Sequence, residues 1–97
     1  MTRPSALAAA REALLHQGWA VLDGVLDEAA CAATLDRLWA AAATYEAQGN
    51  STFMPVLDPN AANVRVFDLL ALDACFRDLI LQPDAITLVE ALLGPHF

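Results

Sequence analysis

Few residues in this sequence are of a type and spacing that could carry chemistry. Its two histidines, His16 and His96, lie far apart, and neither is followed two positions later by an acidic residue. No His-x-Asp pair, His-Glu-x-x-His helix or Cys/His cluster can therefore be written for a metal. The four glycines, Gly18, Gly24, Gly49 and Gly94, are each isolated, which leaves no phosphate-cradling loop, dinucleotide-binding turn or nucleophile elbow. Among the carboxylates, Asp23, Asp27, Asp36, Asp68, Asp73 and Asp78 mostly occupy turn or capping positions. Nothing in their spacing supplies the burial or like-charged neighbour that raises a carboxyl pKa for acid–base work. Cys31 and Cys75 lack Cys-x-x-Cys spacing and are read as buried thiols rather than as a disulfide or a metal pair. Arg65 stands out. It sits within Val64-Arg65-Val66-Phe67, where strand alternation would send Val64 and Val66 to one face and Arg65 with Phe67 to the other. The simplest role for its guanidinium is a surface position or an ion pair with a nearby carboxylate such as Asp68.

The elements that would position these residues follow from apolar spacing and cap chemistry. Ser5 can cap a first helix through Ala8, Arg11 and Leu15 that stops near His16, Gln17 and Gly18, glycine suiting the left-handed position after a helix. Trp19-Ala20-Val21-Leu22, closed by Asp23-Gly24, reads as a short strand. Asp27 then caps the longest helix. Glu28 lies in its first turn, and Cys31, Leu35, Leu38, Ala42 and Tyr45 recur at helical spacing until Gly49. This stripe, with Trp39 at its margin, reads as core. From Asn50 to Asn63 the composition turns to Asn, Ser, Thr, Pro and Asp, a long loop with turn chemistry at Asp58-Pro59-Asn60. Phe53 and Met54 would anchor that loop to the core or cover a neighbouring site. Val64–Phe67 is the second strand. Asp73 can cap a short helix through Phe76, Leu79 and Ile80, and Pro83 opens a last one carrying Ile86, Val89, Leu92 and Leu93, closed by Gly94-Pro95.

Composition excludes several partners. Twelve acidic residues against five arginines, with no lysine, give a net charge of −7. Nucleic acid is excluded as a partner by the lack of a cationic stripe to neutralise phosphates. No run approaches the ~18 apolar residues that span a bilayer, and Met1 to Arg11 lacks the apolar core of a signal peptide. The expectation is a cytoplasmic chain without a membrane partner. At 97 residues one domain buries only roughly 60–65% of its unfolded surface. Much of the 58% hydrophobic content is alanine, which favours helix but adds little core area. Uncovered apolar helix faces then imply self-association.

Taken in order, Gly18-Trp19-Ala20-Val21-Leu22-Asp23-Gly24-Val25-Leu26, the long helix, Val64-Arg65-Val66-Phe67-Asp68-Leu69, Phe76-Arg77-Asp78-Leu79 and Leu88-Val89-Glu90-Ala91-Leu92-Leu93-Gly94 resemble the amino-terminal part of the phytanoyl-CoA dioxygenase family. The resemblance runs from about Leu7 to Phe97. It implies an α+β chain, mostly helical as given, forming the amino-terminal helical layer and first strands of a double-stranded β-helix, or jelly roll, whose barrel core is missing. Residues 1–97 would then be an amino-terminal fragment of a single oxygenase-like domain, with no complete domain boundary within them. Members of this family are Fe(II) and 2-oxoglutarate-dependent oxygenases of small-molecule substrates. Their iron ligands, a His-x-Asp pair and a later His, and the base that holds 2-oxoglutarate have no counterpart in the matched region, so the chain alone is expected to be inactive and to bind neither cofactor. The resemblance also gives Arg65 a second role, lining the barrel mouth and offering its planar fork to an anionic group of the substrate. The reading from another class is a freestanding helical interaction module, in which the apolar stripes meet a partner or a second copy.

Overall fold

The computed structural model describes residues 2–97. Among the described residues five helices follow one another: α1 (Arg3–Gln17), α2 (Glu28–Ala47), α3 (Leu69–Leu72), α4 (Ala74–Ile80) and α5 (Pro83–Leu93). They divide between two compact units, one comprising the chain up to Leu26 together with Ile80–Phe97, the other Asp27–Leu79. No strand forms among the described residues.

In the first unit, α1 begins one turn earlier than Ser5 suggested. Thr2 is the cap, its hydroxyl accepting from the Ser5 N–H at 3.3 Å. Pro4 explains the shift, because proline is preferred in the first helical turn, where its missing N–H leaves no bond unmade; the cap must then precede it. At the other end Gly18 adopts φ 82° and donates its N–H to the Leu14 carbonyl at 3.1 Å, as its glycine identity led one to expect. Helix α5 starts on Pro83, with the Gln82 side chain accepting from the Ala85 N–H at 2.8 Å. Asp84 in its first turn complements the helix dipole and forms an ion pair with Arg3, tying the first turns of α1 and α5 together. Ala10 and Leu88 are the buried residues of these two helices. The strand expected over Trp19–Leu22 does not form. A strand needs a backbone partner, the described chain offers none to this segment, and Trp19 and Val21 remain exposed.

In the Asp27–Leu79 unit, α2 follows its sequence signals closely. Asp27 is extended and accepts from the Ala30 N–H at 2.7 Å, while Glu28 sits in the first turn. Replacing Asp27 by Ala should destabilise the chain by about 1 kcal/mol; urea unfolding followed by far-ultraviolet circular dichroism measures it, and an unchanged midpoint would show that the cap is dispensable. Helix α3 was not foreseen. Its turn is set up by Asp68 in the left-handed region at φ 58°, a conformation that Asp tolerates better than most residues. Asp73 then ends α3 and starts α4 at once: its N–H donates to the Leu69 carbonyl at 3.2 Å, and its carboxylate accepts from the Cys75 N–H at 2.9 Å. Arg37 of α2 grips the same carboxylate with Nε at 2.5 Å and Nη2 at 2.7 Å. Ala41, Ala42 and Phe76 are buried here.

Two core expectations need correction. Cys31 is exposed and Cys75 half-buried, both as free thiols. The Leu35–Trp39 edge of the α2 stripe is also exposed, Trp39 at 57%. Only Ala41 and Ala42 of α2 are buried, because α3 and α4 are too short to cover a helix of 20 residues.

Candidate functional site

The exposed edge of α2 forms one wall of a cleft of about 530 Å3. Leu38, Trp39 and Ala42 lie three, four and seven residues after Leu35, which places all four on one face of the helix. Leu57, Ala62 to Phe67 and Leu69 make the facing wall. That wall is held by hydrogen bonds local to the loop. The Asp58 carboxylate accepts from the Asn60 N–H at 3.0 Å and from Asn63 Nδ2 at 2.5 Å, and Asn60 accepts from the Ala62 N–H at 3.0 Å. These side-chain-to-backbone bonds are the means by which Asx residues shape turns without a sheet. The Arg65 N–H donates to the Thr52 carbonyl at 2.8 Å, and the Thr52 hydroxyl donates to Glu46 Oε1 at 2.6 Å. The backbone of Arg65 is thus moored to the last turn of α2.

Val64–Phe67 is not a strand; beyond the bond from Arg65 to Thr52, no ladder partner exists for it among the described residues. The ion-pair partner of Arg65 is also different from the one expected. Its Nη2 lies 3.3 Å from Asp58 Oδ2, whereas Asp68 is committed to the backbone turn before α3 and makes no capping bond. The bonds from Asn63 and the Asn60 N–H, followed by the Arg65 charge, hold the Asp58 carboxyl below the usual carboxylate range. The Arg65 side chain is 44% exposed and Asp58 19%.

Elsewhere the candidate groups stay apart. His16 lies 3.1 Å from Glu12 on the exposed side of α1, and His96 is exposed near the chain end. Among the described residues no three His, Cys, Asp or Glu side chains converge on a point where a metal ion would sit. No described helix is long and apolar enough to cross a membrane. A smaller hollow of about 290 Å3 in the first unit lies between α1 and residues 19–23.

Helical spacing marks Trp39 as core and gives Leu57 no role, whereas the structure places both in the lining of the cleft. A usable signal was present in Asp58, Asn60 and Asn63, three Asx residues closely preceding Arg65, which are able to shape a turn around an arginine.

The chain is similar to Dioxygenase af480 of Aspergillus fumigatus, 49% identical over 81 residues that make up 84% of this chain and 26% of that protein. It thus spans about a quarter of the length of this curated relative. No protein-family model matches it, and no solved structure does.

Proposed function

We propose that the chain is the amino-terminal part of a dioxygenase of the non-haem Fe(II), 2-oxoglutarate-dependent type, within the phytanoyl-CoA dioxygenase family, whose full-length form hydroxylates a small organic substrate. The observation that carries this is the 49% identity with Dioxygenase af480 over 84% of the chain. The ordered segments from Gly18 to Gly94 support the finer family reading. In it, α2 and the loop over residues 50–67 support and flank the substrate, and Arg65 faces it.

The residues of this chain do not fit the iron. A facial triad needs two histidines and a carboxylate on one side of the metal, and the described side chains provide no such grouping. Iron and 2-oxoglutarate belong in this proposal to residues outside the segment. Titrated anaerobically with Fe(II), the chain should show no stoichiometric site of micromolar affinity, and it should consume no oxygen with 2-oxoglutarate; a tight site would contradict the assignment of the metal elsewhere. The reading as a whole is tested on the coding sequence after Phe97, which should encode a His-x-Asp pair and a later His, and on the encoded protein, which should release CO2 from 2-oxoglutarate. Absence of that motif would sink it.

A second reading has its own observation. Trp19 is 62% exposed and Trp39 57%, and exposed aromatics on helical units are suited to partner binding. In a freestanding interaction module the chain would melt sharply and cooperatively on its own.

A further inference from the structure

We propose that the cleft of the Asp27–Leu79 unit binds a small amphipathic anion, an apolar body lying along Trp39, Leu35 and Phe67 with one carboxylate or phosphate oxygen group at Arg65. The inference rests on Arg65 facing a ligand, as above, but needs neither iron nor 2-oxoglutarate.

Three observations carry it. The cleft, at about 530 Å3, is of the size that small-molecule sites occupy, and its lining follows their composition, largely apolar with few polar groups. Leu35, Trp39, Leu57, Val64 and Phe67 are all left open to solvent, so an apolar body would remove surface that the fold itself leaves wet. The sign of the charged group follows from the lining, in which Arg65 is the only charged residue.

Arg65 is also the loosely held member of its cluster. Asp58 takes its shortest bond, 2.5 Å, from Asn63 and another from the Asn60 N–H at 3.0 Å, against 3.3 Å from Arg65. Moving the guanidinium to a ligand would leave Asp58 still bonded at both oxygens. A guanidinium has five donors in a fixed fork, and one Nη2 contact engages little of it. Meanwhile the bond from its N–H to the Thr52 carbonyl holds the Arg65 backbone in place, so binding requires a side-chain rotation and no refolding of the loop.

The test uses the chain itself with Trp19→Phe, which leaves Trp39 as its sole tryptophan. Decanoate, decan-1-ol and decyltrimethylammonium present the same tail with negative, neutral and positive heads. Decanoate should shift the Trp39 emission to the blue saturably, with an affinity at least about tenfold above that of decyltrimethylammonium. Arg65→Gln should bring decanoate to the level of the alcohol, and Arg65→Lys should retain part of the preference, with circular dichroism unchanged. Equal binding of the anion and the cation, no saturable shift, or a preference that survives Arg65→Gln would each overturn the proposal. So would an emission that tracks protein concentration instead of ligand, which would assign the cleft to a second copy of the chain. Should Arg65→Gln fail to fold, the comparison of heads on the arginine-bearing chain decides alone.

Discussion

Asp73→Ala is expected to lower the melting temperature of the chain more than any other single truncation of a polar side chain. Asp73 holds a junction: its backbone closes α3 through Leu69, and its carboxylate caps α4 through the Cys75 N–H while receiving both Arg37 bonds. Losing a cap of this kind shifts Tm by roughly 4–8 °C in a domain of this size. The Arg37 pair adds less than its geometry suggests, because Arg37 is 57% exposed and solvent screens such pairs. The order of effects should therefore be Asp73→Ala first, then Arg37→Ala, with Asp73→Asn mildest if Asn caps nearly as well as Asp. Thermal melts followed at the helical circular-dichroism band rank the three. Equal losses from Arg37→Ala and Asp73→Ala would place the stability in the ion pair and refute the cap argument.

The same carboxylate sets a pH dependence. Hydrogen bonds from Arg37, then the N–H of Cys75, hold the Asp73 carboxyl well below the usual carboxylate range. A group whose folded pKa is depressed contributes stability that is present above its unfolded pKa, about 3.9 for Asp, and is lost as pH falls through the folded value. Asp58 acts in the same direction. Acidification below about pH 4 should therefore erode the Asp27–Leu79 unit progressively. Burial, with the negative charge of Asp73 next, pushes the neighbouring Cys75 thiol up, which keeps it a protonated and poor nucleophile at neutral pH.

What was legible in the sequence were the features decided within a few residues. Asp27, Gly18 and Gly94 mark helix ends through bonds that span one turn, and Pro83 does so through its fixed φ, so local composition suffices to place them. Ser5 failed by a competition that Pro4 decides, and that too was local. The two strands failed for a different reason: alternation at Trp19–Leu22 and Val64–Phe67 records which residues suit a pleated surface, while a strand exists only when another backbone lies beside it. The α2 stripe misled in the same way. Its spacing marks a face that wants cover, and Leu35 and Trp39 have none within the Asp27–Leu79 unit beyond a cleft. Arg65 stands out in the sequence as the one base placed among alternating apolar residues, yet closeness along the chain points to Asp68 as its carboxylate partner where the structure has Asp58. Asp68 is nearer in sequence, but its left-handed backbone commits it to the α3 turn.

In a full-length enzyme carrying this segment, Arg65→Ala and Arg65→Lys should each lower kcat/KM for the physiological substrate by tenfold or more, about 1.4 kcal/mol of transition-state binding, while leaving Tm within a degree or two. The separation of the two readouts follows from the structure. The salt bridge of Arg65 to Asp58 is a single 3.3 Å contact on a carboxylate already bonded to Asn63 and the Asn60 N–H, so its loss removes little stability; exposed pairs of this type contribute at most ~1 kcal/mol. Its backbone bond to Thr52 is untouched by either substitution. Lysine is the informative variant. It retains the charge but offers a point donor in place of a planar fork, so a role in orienting a carboxylate or phosphate is lost with it, whereas a general attraction for anions is kept. If both variants impair kcat/KM and spare Tm, Arg65 recognises an anionic group. If Lys restores full activity, the cleft needs only positive charge; if kinetics fall only together with Tm, Arg65 serves the loop through Asp58 and faces no substrate.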